Sequence, residues 1–219
     1  MTDWVTIASL ATAGTTVLLA GATLISVRAA SRAAAAAERS VLAGLRPVLL
    51  TSRLTDRDEK IFWADDHWAV VSGGRGYAEI VDGNIYFAIS IRNAGAGLAV
   101  LQGWSVSDQR RGPEDQHTPP QEYRRMIRDL YIPAHDIGYW HAAIRDTDDP
   151  LYDAMAAAVK GRQVFTVEVL YTDHEGGQSS ICRFVLRPRD KEGNPADWIA
   201  GVGRHWNLDR PDPRAVRYA

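Results

Sequence analysis

Residues 163–186 read QVFTVEVLYTDHEGGQSSICRFVL. From Gln163 to Tyr171 apolar residues, mostly β-branched or aromatic, alternate with polar ones, and Ser179 to Leu186 repeats the pattern. A period of two is the mark of a strand with one buried face. Between the runs, His174-Glu175-Gly176-Gly177 is a turn signal, so the stretch predicts a long antiparallel hairpin. Working outward, the same criteria place strands at Val48–Leu54, Trp68–Ser72, Tyr77–Val81, Ile85–Arg92, Leu98–Ser107, Asp129–Ile132 and Gly138–Ile144. Asp82-Gly83-Asn84 supplies another turn, and Gly73-Gly74-Arg75-Gly76 reads as a further hairpin connection. Each half-polar sheet must bury its apolar face on another layer, so the pattern predicts a mainly β, two-sheet antiparallel sandwich.

One helix interrupts the strands, with Asp149 as cap, Pro150 at the first helical position, Leu151 to Val159 as body and Gly161 as stop. A second, shorter helix is expected after Asn194-Pro195, with Asp197 in its first turn, followed by a tail rich in Arg, Asp and Pro. The segment Ile89-Ser90-Ile91-Arg92-Asn93-Ala94-Gly95-Ala96-Gly97-Leu98-Ala99 contains the loose pattern N-x-G-x-G-x-A, in which Asn and Gly suit positive φ at a tight connection. Together with Tyr171-Thr172-Asp173 and the following glycines, it resembles the strand-turn-strand feature of immunoglobulin- and fibronectin-like sandwiches in bacterial single-pass membrane-anchored proteins of uncharacterised function. The resemblance implies a fold and carries no catalytic residues.

The N-terminal segment has a different character. Trp4 to Val27 holds no charged residue and is bounded by Asp3 and Arg28. As a helix rising 1.5 Å per residue it is long enough for a hydrocarbon core of about 30 Å. Its threonines are tolerable in lipid because a hydroxyl can bond a carbonyl one turn earlier, and Trp4 suits the interface. Two readings compete. Ala20-Gly21-Ala22 would suit signal-peptide cleavage, although Met1-Thr2-Asp3 lacks the positive n-region that a signal peptide requires. A helix apolar all round can also be buried inside a protein assembly. Arg28, Arg32, Arg39 and Arg46 follow the span while no Lys or Arg precedes it, which predicts an external N-terminus and a cytoplasmic C-terminal side. Ala13, Gly14, Ala20 and Gly21 recur at a seven-residue interval and form a candidate helix-packing face. Ala-rich sequence continues the helix as a stalk until Gly44 and Pro47. The expected organisation is an anchor over 1–27, a stalk over 28–45, a sandwich over 46–187 and an extension with a short helix over 188–219.

A 219-residue chain with 46% hydrophobic and 24% charged residues is a folded protein with room for one ordinary domain beside an anchor. Its net charge of −2 gives no recommendation of a nucleic-acid partner. The lone Cys182 excludes an internal disulfide and weighs toward a reducing compartment.

No metal set is expected, because the six histidines lack the spacings that converge imidazoles on an ion, and His135 and His141 on one strand would stand too far apart. Asp146, Asp148 and Asp149 are better explained by helix capping than by a cation loop, and Asp65-Asp66-His67 by a solvated loop. Gly73–Gly76 lacks the ending of a phosphate loop, and no G-x-S-x-G elbow occurs. Neither catalytic residues nor a cofactor are therefore expected. Basic residues concentrate at Gln109-Arg110-Arg111 and Tyr123-Arg124-Arg125-Met126-Ile127-Arg128. In the second, Arg124, Arg125 and Arg128 mix with apolar groups as a contact for an acidic partner or anionic lipid would.

The functional expectation is a non-enzymatic binding or scaffolding module, held in the bilayer through residues 4–27, that engages a membrane or cytoplasmic protein through its loops or an exposed sheet edge. The alternative is a ligand-sensing membrane effector that oligomerises through the small-residue face of its transmembrane helix. A third, an envelope-side hydrolase, needs the opposite topology.

Overall fold

The computed structural model describes residues 3–112, 114–189, 194–212 and Arg214. The chain divides into two compact units between Gly44 and Leu45. The first is a single helix, α1 (Trp4–Gly44). Within it Thr12, Thr16 and Thr23 donate their hydroxyls to the carbonyls of Ala8, Thr12 and Leu19 at 2.9, 2.8 and 2.8 Å. Those polar groups are satisfied without water, while Leu18, Leu19 and Ile25 project outward. This helix is long and apolar enough to cross a membrane.

The second unit is built from strands β1 (Leu49–Thr51), β2 (Glu59–Phe62), β3 (Trp68–Val71), β4 (Arg75–Val81), β5 (Asn84–Asn93), β6 (Ala99–Ser107), β7 (Arg124–Ile132), β8 (Ile137–Ile144), β9 (Phe165–Thr172), β10 (Ser180–Pro188) and β11 (Asp197–Asn207). It also contains a 3₁₀ turn at Pro120–Glu122 and the helix α2 (Tyr152–Lys160). Its main sheet is antiparallel in the order β1-β5-β4-β11-β10-β9-β6-β7, with β8 on the other side of β5.

The sheet curls into a sandwich so that its period-two apolar faces cover each other. Ile85, Phe87, Ile89 and Ile91 of β5 share one core with Val167 and Val169 of β9 and with Phe184 and Leu186 of β10. β11 turns the corner between the layers. It pairs with β10 along its length but with β4 only through Asp197–Ile199. Met155, Ala156 and Val159 of α2 belong to the same core, and Asp149 accepts the Leu151 amide at 2.9 Å ahead of that helix. The hairpin β2–β3 forms a separate two-stranded sheet, and its Ile61, Ala69 and Val71 make a second core with Tyr77, Tyr86 and Ala88 of β4 and β5.

The mainly β sandwich and the hairpin over residues 163–186 are as the sequence predicts. Four details differ. Residues 197–207 form the long strand β11, not a short helix, because pairing with β10 overrides the local Pro195-Ala196-Asp197 helix-start signal. The sandwich thus reaches into the segment expected to be an extension, and residues 215–219 of the expected tail lie outside the described residues. β2 is too short to show a periodic pattern and was not expected. Gly73–Gly76 does not close a hairpin, since β3 pairs with β2 and the loop carries the chain across to the main sheet.

The fourth difference concerns Gly95 and Gly97, which do not adopt positive φ. Their lack of a side chain serves close approach. A Cβ would stand 2.1 Å from the Arg46 carbonyl oxygen at Gly95 and 1.7 Å from that of Leu45 at Gly97. The neighbouring Asn93 is fully buried and ties three segments together. Its Oδ1 accepts the amides of Val48 and Gly95 at 3.1 and 3.0 Å, and its Nδ2 donates to the carbonyls of Gly97 and Ile132 at 2.6 and 3.2 Å.

Candidate functional site

The main sheet stays open on one side, where β7 ends the hydrogen-bonded path and β8 pairs only with β5. Four residues from the end of β7 lead directly into β8, so the two free edges run side by side. Midway along β7, Met126 to Asp129 stand opposite the single residue Gln102 of β6, because pairing stops at Arg125 and resumes at Leu130. Bulges of this kind bend an edge strand and re-aim its side chains. Here the bend leaves Ile127 81% exposed.

Between the edges lies a cavity of about 230 Å³. Trp104 of β6 and Met126 of β7 contribute to one wall, and His141, Ala142 and Ala143 of β8 to the other. Phe62 and Trp63 close it from the β2 side. The Trp63 indole donates to the Ala142 carbonyl at 3.0 Å and meets the His141 ring edge-on at 5.4 Å. That bond fastens the small hairpin to β8 and also occupies one acceptor of the edge. Phe62 is 55% exposed at the rim.

The lining carries Arg125, Arg128 and Arg145 and no carboxylate. Arg145 is neutralised from outside the cavity by Asp65 at 2.8 Å, and this pair holds the Asp65 carboxyl well below the usual carboxylate range. Among the described residues Arg128 reaches only the Tyr139 hydroxyl, at 3.5 Å, and Arg125 makes no hydrogen bond or ion pair.

Of the three arginines singled out from the sequence, the structure therefore brings Arg125 and Arg128 to the groove and assigns Arg124 elsewhere. Arg124 grips Asp149 through two bonds of 2.5 and 2.6 Å and lies 5.2 Å over the Trp104 ring, bracing the wall from behind. Trp104, Trp63, Phe62 and His141 were not anticipated. They come from three segments, and only the alternation of β6 and β8 hinted at where two of them point. Ala13, Gly14, Ala20 and Gly21 lie on α1, with open space around both glycines.

The other clusters of polar groups have structural partners. His135 sits in the turn before β8 with φ 62°, off the strand shared by His141, and no group of three His, Cys, Asp or Glu that could hold a metal occurs among the described residues. Cys182 is fully buried, which pushes its thiol pKa up, and lies 3.6 Å from His205. Glu168 and Arg183 form a buried ion pair at 2.7 Å on the outer face of β9 and β10.

His141 and His205 give the fold a pH dependence. Burial, with Arg128 and Arg145 adding repulsion at His141 and Arg214 at His205, pushes both down from 6.5 to about 4. Between those values the unfolded chain carries protons on these rings that the folded chain does not, so stability rises with pH across the window. Acidification from pH 7 to 5 is expected to lower the urea midpoint, with both imidazoles still neutral in the folded protein by NMR titration. A midpoint unchanged over that range would contradict the buried neutral state.

No family model matches the chain, and neither a curated protein nor a solved structure gives a match. Fold and groove by themselves define a sandwich-like β unit joined to a helix capable of crossing a membrane.

Proposed function

We propose that this chain is a non-enzymatic binding module, anchored in the cell membrane by α1, that takes a segment of a protein partner into the groove between β7 and β8. The observation that supports it is the cavity itself: an apolar mouth between two unpaired sheet edges, with a large aliphatic residue, Ile127, held out at its rim. The bulge exposes Ile127 beside the charged Arg128 and Asp129, whereas an edge shaped only to repel other strands needs charge alone. At about 230 Å³ the cavity is smaller than the roughly 300–1,000 Å³ of sites for drug-sized ligands, which suits one bulky side chain of a longer partner.

The domain belongs on the cytoplasmic side in this reading. Arg28, Arg32 and Arg39 follow the apolar span, whereas Arg46 is already engaged by Asp209 within the second unit. A green fluorescent reporter fused at the C-terminus is expected to light up in intact cells.

The groove itself is tested by purifying the tagged chain in mild detergent beside an Ile127→Asp variant, followed by mass spectrometry of bound proteins. The expected result is a stoichiometric partner on the unaltered chain that is lost from the variant. A partner retained by Ile127→Asp places recognition elsewhere, and recovery of the unaltered chain alone removes the basis for a scaffold.

A further inference from the structure

Resting on the binding-module reading, we infer that the groove selects an acidic segment, one that buries a bulky apolar side chain between Trp104, Met126 and Trp63 and sets carboxylates against Arg125 and Arg128. The argument is one of charge complementarity within a concave apolar site. Arg125 has no partner among the described residues, and Arg128 has only a neutral hydroxyl at 3.5 Å. The third arginine of the lining, Arg145, is the one already neutralised. The two cations left without a carboxylate thus face the cavity, and the lining supplies no acid to meet them. Guanidinium groups match carboxylates in shape as well as charge, and such pairs at the edge of an apolar pocket fix orientation and reject the wrong partner.

A second copy of this chain fits poorly, because pairing β7 with itself would bring Arg125 and Arg128 toward their own images. A flat bilayer could meet Ile127 but would leave the recessed cavity unfilled. Because Trp63 already occupies the Ala142 carbonyl, recognition relies on side chains more than on an added ladder of backbone bonds.

The test uses the full chain in phosphatidylcholine nanodiscs, panned against a displayed random-peptide library. The expected enrichment is a bulky apolar residue flanked by Asp or Glu. Synthetic copies of the enriched peptides should bind an Arg125→Glu/Arg128→Glu chain at least about tenfold more weakly, a difference of about 1.4 kcal/mol. Raised salt should weaken them on the unaltered chain, and Lys-substituted copies should recover binding to the reversed chain.

Peptides that are lost with Ile127→Asp yet show no acidic bias and ignore the arginine reversal would overturn the acidic specificity and leave the groove standing. Failure to enrich any peptide sensitive to Ile127→Asp overturns both. Arginine-dependent capture of phosphatidylglycerol vesicles without such peptides would reassign the surface to lipid. Arg125, Ile127 and Arg128 are all exposed, so the three substitutions should leave thermal unfolding unchanged, which separates lost binding from lost fold.

Discussion

Replacing Arg183 with Ala is expected to destabilise the second unit by about 3–5 kcal/mol, the range found when one member of a buried ion pair is removed. The Arg183 side chain is completely buried and every direction around it is committed. Its Nε and Nη2 reach Glu168 at 2.8 and 2.7 Å, and its remaining donors go to the carbonyls of Gly112, Asp115 and Gln116 at 2.7, 3.1 and 2.7 Å. The Trp206 ring lies 4.6 Å from the guanidinium carbon. Burial would raise the Glu168 pKa, but the Thr118 amide and Arg183 reverse that effect and hold it below the ordinary value. Tyr123 adds a further bond to Glu168 at 2.9 Å.

The substitution leaves the buried Glu168 with only the more distant Arg111, at 3.7 Å, as a charge partner among the described residues, and removes the bonds that hold the loop before β7 to the sheet. Urea unfolding of the full chain in detergent, followed by tryptophan fluorescence, measures the loss, since all the tryptophans except Trp4 lie in the second unit. Glu168→Leu combined with Arg183→Met should lose less than Arg183→Ala alone, because it strands no charge. A double variant worse than the single one would show that the bonds Glu168 accepts from Thr118 and Tyr123, not its unpaired charge, dominate.

Asn93→Leu is expected to cost about 3 kcal/mol or more by the same measurement. Leucine is of similar size but cannot meet the four backbone groups that Asn93 satisfies, and a buried group left unpaired costs about 1–3 kcal/mol. Those groups belong to the entry of β1, the β5–β6 connection and the end of β7, so one side chain holds three segments in register. Gly97→Ala should also be strongly destabilising, because its new methyl would overlap the Leu45 carbonyl and the backbone must move. A loss below about 1 kcal/mol for Asn93→Leu would mean that water takes over these bonds.

Much of this architecture could be read locally. Alternating residues over 163–186 define β9 and β10, and Asp82-Gly83 supplies the positive φ values of 49° and 81° at the β4–β5 turn. The absence of charge from Trp4 to Val27 marks the helix suited to a membrane. The N-x-G-x-G-x-A pattern pointed to the right place for the wrong reason: its glycines make room for the backbone of Leu45 and Arg46 ahead of β1, and a neighbour is not visible in a local pattern.

The candidate site was legible only in part. Arg125 and Arg128 stood out as cations among apolar residues, but so did Arg124, and the three look alike until Asp149 appears beside one of them. Phe62 ends a strand too short for a period to declare itself, and Trp63 follows it in the turn. β11 began with a helix signal that its pairing partner overruled.

By itself the sequence determined the helix, the strand content and most of the turns, because each depends on the backbone preferences and burial periodicity of consecutive residues. Tertiary structure alone decided that β7 and β8 leave adjacent edges open, which arginines remain unneutralised there, and that Glu168 and Arg183 meet in a dry pair. Those outcomes depend on which distant segments come into contact, and the energy of a charge or an edge is set by what surrounds it.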